Sequence, residues 1–232
     1  MSKRTKGKTS KLAVLCDFDG TVVKVDTGEF VLSKFAEGDW KVFDRLYERG
    51  EITLEECMQK QFSMVRATAT LILKHVEPLL KFRRGFDQLV CQCRIFGVPL
   101  IIVSAGLDFC IQHFLELNGW LKTVEVQCSR IVSVSWDKGI KFEHIKPVFA
   151  DSTNLKDDLV RQHKKMDEKV IYVGDGLADL TATTFADYPF AIGGSKLAKK
   201  CRTQNTACKE IRDFRPVVQL LRKLNHSSTG NE

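Results

Sequence analysis

Two aspartates, Asp17 and Asp19, stand one residue apart directly after the apolar run Leu12-Ala13-Val14-Leu15-Cys16, and Gly20 and Thr21 follow them. Carboxylates at the end of such a run are costly to bury unless a cation or a phosphoryl transfer uses them. A strand closed by an Asp-Gly turn is the plainer explanation of the same residues. Two further stretches repeat the arrangement. Residues 98–103 end on Ser104-Ala105-Gly106, and 169–173 end on Gly174-Asp175-Gly176 with Asp179 close behind. The glycines leave room for a ligand to approach backbone N–H groups, and Lys156 adds a cation ahead of the third stretch. Acids, a hydroxyl, a lysine and glycine-flanked turns together suit a phosphoryl group beside a hard divalent ion.

These residues are far apart in the chain, so the fold must gather them. Residues 11–16, 98–103 and 169–173 are aliphatic without alternation, as in strands buried on both faces. Helical patterns at 86–96, 107–118 and 154–163 separate them, and a short strand at 190–192 and a closing helix at 214–224 complete the series. The alternation predicts an α/β fold, a doubly wound and mostly parallel sheet whose strands end on one ligand-binding edge. Residues 29–81 hold several helical segments, one opened by Thr53 with Glu56 three residues on as a capping box. A plain crossover needs one helix. The block 29–81 is therefore expected to be an inserted helical cap on a core of 11–28 and 82–226, with 1–10 a basic lead-in and 227–232 a tail. Residues 123–143 alternate apolar and polar between turn signals and predict short antiparallel strands.

Composition narrows the classes. At 232 residues, 44% hydrophobic and 28% charged, the chain can bury a proper core. No stretch approaches the roughly 18 apolar residues of a membrane span, and the basic N-terminus lacks the apolar core of a secretory signal. Eight scattered cysteines without a CxxC pair point to a reducing, cytoplasmic compartment. Cys91-x-Cys93 has metal-binding residue types, but on a helix the two side chains point apart and packing is the better explanation. The net charge of +7 sits at the ends. Residues 1–11 carry five Lys/Arg and no acid, and 196–232 carry nine Lys/Arg against three acids, while the stretch between has 22 basic and 26 acidic residues. That distribution fits solvated termini better than a nucleic-acid groove.

The four motifs, in order, resemble the haloacid dehalogenase superfamily of phosphatases: DFDGT (17–21), Ser104, Lys156 and GDGLAD (174–179). VSAGLDF (103–109) and GDGLAD resemble its phosphoserine-phosphatase-like branch, which includes the enolase-phosphate phosphatase of methionine salvage. The resemblance implies a Rossmann-like core with a C1-type cap, Mg²⁺ as cofactor and a small phosphorylated metabolite as substrate. It implies Asp17 as nucleophile forming an aspartyl-phosphate and Asp19 as general acid and base. Ser104 and Ala105 would bind the phosphoryl oxygens, and Lys156 would bind both phosphate and Asp17. Asp17, the Asp19 carbonyl and Asp175 would hold the metal, with Asp179 behind them. Each residue has a plainer role: Ser104 as a helix N-cap, Asp179 as a favourable acid at a helix start, Lys146 as a competitor for Lys156, and Asp151, Asp157 and Asp158 as surface acids.

The resemblance weakens at the cap. Phosphoserine phosphatases carry a glutamate and a cap arginine that grip the amino acid, and the corresponding positions here hold Asp26 and Gln61. Without the arginine the bidentate carboxylate partner is lost, so phosphoserine is disfavoured. Phe30, Trp40, Phe62 and Met64 are the cap's apolar pocket candidates, each also explained by core packing. Three functions follow in order: a Mg²⁺-dependent phosphomonoester hydrolase, a phosphoryl transferase or mutase of the same superfamily, and a catalytically idle module whose basic ends contact RNA.

Overall fold

The computed structural model describes residues 12–229; residues 1–11, which hold the expected basic lead-in, and 230–232 lie outside the described residues. Eight strands are described: β1 (Leu12–Cys16), β2 (Leu100–Ser104), β3 (Glu125–Cys128), β4 (Arg130–Ser135), β5 (Gly139–Glu143), β6 (Lys169–Gly174), β7 (Tyr188–Ile192) and β8 (Lys209–Ile211). Six of them form one sheet in the order β3-β2-β1-β6-β7-β8, with every pairing parallel. β1 is central because all five of its residues are apolar and need burial on both faces. Val14 and Cys16 pack into the larger core cluster, while Ala13 and Leu15 pack with Val103 and Tyr172 on the other face. β1 pairs with β2 on one side and β6 on the other, in a register that sets Cys16 beside Ile102 and Val173. The polar residues after these strands therefore share one edge.

The remaining helices cover the sheet. α5 (Phe86–Phe96) packs with α10 (Arg215–Thr229) on the larger core, and α7 (Leu155–Lys165) packs with α8 (Leu180–Phe185) on the opposite face. α6 (Asp108–Leu117) follows β2, and α9 (Lys196–Gln204) follows β7. Between β1 and α5 lie α1 (Thr27–Phe35), α2 (Lys41–Glu48), α3 (Leu54–Phe62) and α4 (Ala69–Val76). Side-chain caps set the starts of α1, α3 and α4: Asp26 accepts from the Glu29 N–H, Thr53 and Glu56 form the expected capping box, and Thr68 accepts from the Leu71 N–H. The chain leaves the sheet at Val23 and returns at Phe82, and these two residues pair in an antiparallel bridge.

Several details differ from the sequence expectation. β3 runs parallel to β2 at the sheet edge, and only β4 and β5 make the antiparallel hairpin. β8 is three residues long, two of them charged, and carries no apolar pattern to announce it. Asp157 and Asp158 are buried, not surface acids. The Asp157 carboxylate accepts from the N–H groups of Thr153 and Asn154, and Asp158 accepts from the Phe149 N–H and the Ser152 hydroxyl. The two acids thus fasten the loop before α7. Asp151 is exposed and pairs with Arg161. On α5 Cys93 is buried and Cys91 exposed, as the helical spacing requires, and all eight cysteines are free. No described helix is long and apolar enough to cross a membrane.

Candidate active site

Asp17 is the first residue beyond β1, and its N–H donates to the Val173 carbonyl at 2.9 Å, extending the ladder to β6. The chain then turns sharply over Phe18–Val22, with Gly20 at φ +70°. A side chain at Gly20 would be strained by that φ and would overlap the Asp175 carboxylate. Gly106 is equally confined, since a Cβ there would lie 2.5 Å from Asp19 Oδ2 and 3.2 Å from Ser104 Oγ. These glycines let three strand ends close on one another.

The charged centre is a buried chain of contacts. Lys156 Nζ donates to Asp17 Oδ1 at 2.8 Å and to Asp179 Oδ1 at 2.7 Å. Asp179 Oδ1 also accepts from the Tyr172 hydroxyl at 2.7 Å, and Oδ2 accepts from the N–H groups of Asp175 and Gly176 at 3.0 and 2.8 Å. Asp175 Oδ1 accepts from the Thr21 hydroxyl at 2.9 Å. Lys146 takes no part in these contacts, and Lys156 occupies the place between the acids. Ser104 Oγ accepts from the Gly106 N–H at 2.9 Å, whereas the N-cap position of α6 falls on Leu107. The hydroxyl proton of Ser104 is left to give.

Oxygens of Asp17, Asp175 and Asp179 lie within 4.8 Å of one another, which a hard cation can bridge. Asp179 has each oxygen engaged by two donors, so Asp17 and Asp175 keep the lone pairs best suited to a metal. Burial pushes the Asp17 carboxyl well above the usual carboxylate range, and the Lys156 ammonium offsets this only in part. Asp175 is raised by burial and by the neighbouring Asp179 charge. A buried acidic cluster in this state favours either protons or a divalent ion. Asp19 stands apart from the cluster. Its Oδ1 accepts from the N–H and hydroxyl of Thr27 at 2.8 and 2.7 Å. Burial and the Asp26 charge raise its pKa to about 7 against those two hydrogen bonds.

The family model for haloacid dehalogenase-like hydrolases matches residues 14–183, the span that holds every residue of this centre. The chain belongs to that family. Its similar proteins include 2-hydroxy-3-keto-5-methylthiopentenyl-1-phosphate phosphatases: one from Brevibacillus brevis is 26% identical over 93% of this chain and 97% of its own length. Another, from Geobacillus thermodenitrificans, is 27% identical over 92% of this chain and 97% of its own length. A phosphoserine phosphatase structure, captured as a phospho-aspartyl intermediate analogue, shares the fold at a TM-score of 0.67, with 19% identity over 91% of this chain and 99% of that one. The protein is a phosphoric monoester hydrolase.

In this phosphatase the centre opens into a cleft of about 500 Å³. Asp17, Asp19, Ser104, Ala105, Lys156 and Asp175 line its floor, and α1–α3 supply the facing wall, including Asp26, Trp40, Gln61 and Phe62. Phe30 and Met64 are not among the lining residues and pack against the core. Gln61 is buried, and its Nε2 donates to the Trp40 carbonyl at 3.3 Å and to Asp44 Oδ1 at 2.8 Å. Asp26 Oδ1 is the α1 cap, accepting from the Glu29 N–H at 2.8 Å. Sequence reasoning quoted Thr21 in DFDGT without giving it a role, and missed Thr27, Tyr172 and Met58, the last of which lines the cleft. Of the missed residues Tyr172 carried a signal, since a phenol inside the buried run 169–173 needs a partner for its hydroxyl.

Proposed function

We propose that this phosphatase hydrolyses a small phosphorylated metabolite through an aspartyl-phosphate on Asp17, with Mg²⁺ held by Asp17, Asp175 and the backbone carbonyl of Asp19. The convergence of Asp17, Ser104, Lys156 and Asp175 at one buried sheet edge supports this reading most directly. Asp17 attacks phosphorus in line, and the P–O bond to the leaving alkoxide breaks. Asp19, with a pKa near 7, keeps a protonated fraction at neutral pH that can deliver the proton to that oxygen. The same carboxylate then takes a proton from the water that cleaves the acyl-phosphate. Ser104 donates its hydroxyl proton to a phosphoryl oxygen, and Ala105 and Gly106 line the cleft beside it. Lys156 neutralises charge on Asp17 and the phosphoryl group, and Asp179 holds Lys156 through the 2.7 Å contact. Mg²⁺ would supply positive charge that offsets repulsion between the nucleophile and the phosphate.

Residues 29–81 act in this reading as a cap that closes the cleft and selects the substrate. Phosphoserine is disfavoured. Both N–H groups of Gln61 are taken by Trp40 and Asp44, and Arg45 on the same wall pairs with Asp39 at 2.9 Å. Gln61 is therefore not free to form the forked pair that a carboxylate wants, while the exposed Arg45 meets Asp39 through Nη2 alone. The relatives' named substrate is a phosphomonoester of a small metabolite, and the free cysteines suit a reducing compartment. Phosphate release from p-nitrophenyl phosphate tests the proposal. EDTA and Asp17→Asn are each expected to abolish it, and activity that survives both would refute the mechanism. Phosphate recovered on a second hydroxyl instead of in water would make the protein a transferase.

A further inference from the structure

Arg83 lies where the chain re-enters the sheet from the helical block, one residue after Phe82 in the Val23–Phe82 bridge. Its half-buried guanidinium reaches under the turn that follows Asp17. Nη2 donates to the Gly20 carbonyl at 2.6 Å, Nε to the Thr21 carbonyl at 2.9 Å, and Nη1 to the Arg212 carbonyl at 3.3 Å. Its backbone N–H donates to the Val22 carbonyl at 2.7 Å. One residue thus holds three consecutive carbonyls of the turn. We propose that Arg83 is a positioning residue that sets the metal-side half of the active centre through the backbone of Gly20 and Thr21.

The reasoning follows the connections outward from that backbone. Gly20 carries the chain directly on from Asp19, whose carbonyl belongs to the proposed metal site. Thr21 donates its hydroxyl to Asp175 Oδ1 at 2.9 Å. A shift of the Gly20–Thr21 backbone therefore moves the Asp19 carbonyl and the Asp175 carboxylate together. Asp17 is fixed independently, by its ladder bond to Val173 and by Lys156. The cleft wall facing the proposed leaving group is carried by α1–α3, and none of the Arg83 side-chain hydrogen bonds goes to these helices. Loss of the fork should therefore weaken metal binding and turnover while leaving substrate binding intact. Lysine cannot replace it, because a point charge does not span two adjacent carbonyls as the planar fork does.

The inference rests on the metal and nucleophile roles proposed above, and the test separates the two. Arg83→Met, Arg83→Ala and Arg83→Lys are compared with wild type for p-nitrophenyl phosphate kinetics, for Mg²⁺ affinity by titration calorimetry, and for thermal unfolding. Folded Arg83→Met is expected to lose roughly 10- to 100-fold in both Mg²⁺ affinity and kcat, the usual effect of removing an outer partner of a metal site. KM is expected to stay within about twofold, since the ester-binding wall is untouched. Should the Met and Ala variants melt below the assay temperature, Arg83→Lys decides, with the same pattern at smaller amplitude. Wild-type Mg²⁺ affinity in a folded variant, or a loss confined to KM, overturns the assignment. Asp17→Asn serves as the reference: retained activity there sinks the underlying mechanism, whereas an inactive Asp17→Asn beside a fully active Arg83→Met refutes the role of Arg83 alone.

Discussion

Replacing Lys156 by methionine tests the buried charge chain directly. The lysine side chain is only 7% exposed and lies between Asp17, 8% exposed, and Asp179, fully buried, at 2.8 and 2.7 Å. At an effective dielectric constant of about 20, each such contact is worth about 6 kcal/mol of Coulomb attraction. Desolvation of three ions offsets most of that, so the intact cluster adds little net stability. Its removal is another matter, because Asp17, Asp175 and Asp179 would remain together without a cation. Breaking a buried pair of this kind costs about 3–5 kcal/mol, which for a chain of this size lowers Tm by about 6–20 °C. Methionine keeps the apolar stem, so packing loss does not confuse the reading. The double variant with Asp179→Asn should recover about 1–3 kcal/mol, since it removes one of the stranded charges. The defect should also shrink as pH falls. Burial already raises the Asp17 carboxyl, and a neutral carboxyl no longer needs the ammonium. Melting curves of the four proteins in a metal-free buffer, at about pH 8 and about pH 5.5, measure all of this. A Met variant within about 2 °C of wild type, or strict additivity in the double variant, would refute the argument.

Three further outcomes follow from the geometry. Asp26→Asn keeps an oxygen for the Glu29 N–H but removes the charge that helps hold Asp19 near 7. Less Asp19 is then protonated at a given pH, so the alkaline limb of kcat/KM should move to lower pH, and an unmoved limb would count against Asp19 as the acid. Gly106→Ala would place a Cβ 2.5 Å from Asp19 Oδ2, and steady-state kinetics should show kcat reduced about 100-fold by the displaced carboxyl. Gln59 on α3 donates to the Ile140 carbonyl at 3.3 Å and accepts from the Phe142 N–H at 3.1 Å, fastening the cleft wall to the β4–β5 hairpin. Gln59→Ala should cost about 1–3 kcal/mol in denaturant titrations and raise KM more than it lowers kcat.

The parallel core was legible because its strands are nearly all apolar. Leu12–Cys16 and Lys169–Gly174 have no polar face to turn outward, and only the interior of a covered sheet accepts that pattern. The edge of the sheet was not legible. β3 carries Glu125 and Gln127, so its alternation suits an antiparallel hairpin as well as a parallel edge, and pairing with β2 decides between them. Asp157 and Asp158 illustrate the same limit, since a helix-start acid looks exposed until the preceding loop folds over it.

Residue type and order by themselves pointed to the chemistry proposed for this protein. Asp17, Asp19, Ser104, Lys156 and Asp175 each follow a buried strand or precede one, and a parallel sheet has one edge on which to gather them. The tertiary structure alone set the different surroundings of like groups. Asp179 is close enough to share a metal with Asp17 and Asp175, yet four donors occupy its oxygens and leave it to hold Lys156. Asp19 is two residues from Asp17, but burial first and the Asp26 charge second raise its pKa to about 7 against the two Thr27 hydrogen bonds. Identical carboxyl groups acquire different properties, and in the proposed mechanism different tasks, through burial and hydrogen-bond partners set by the fold.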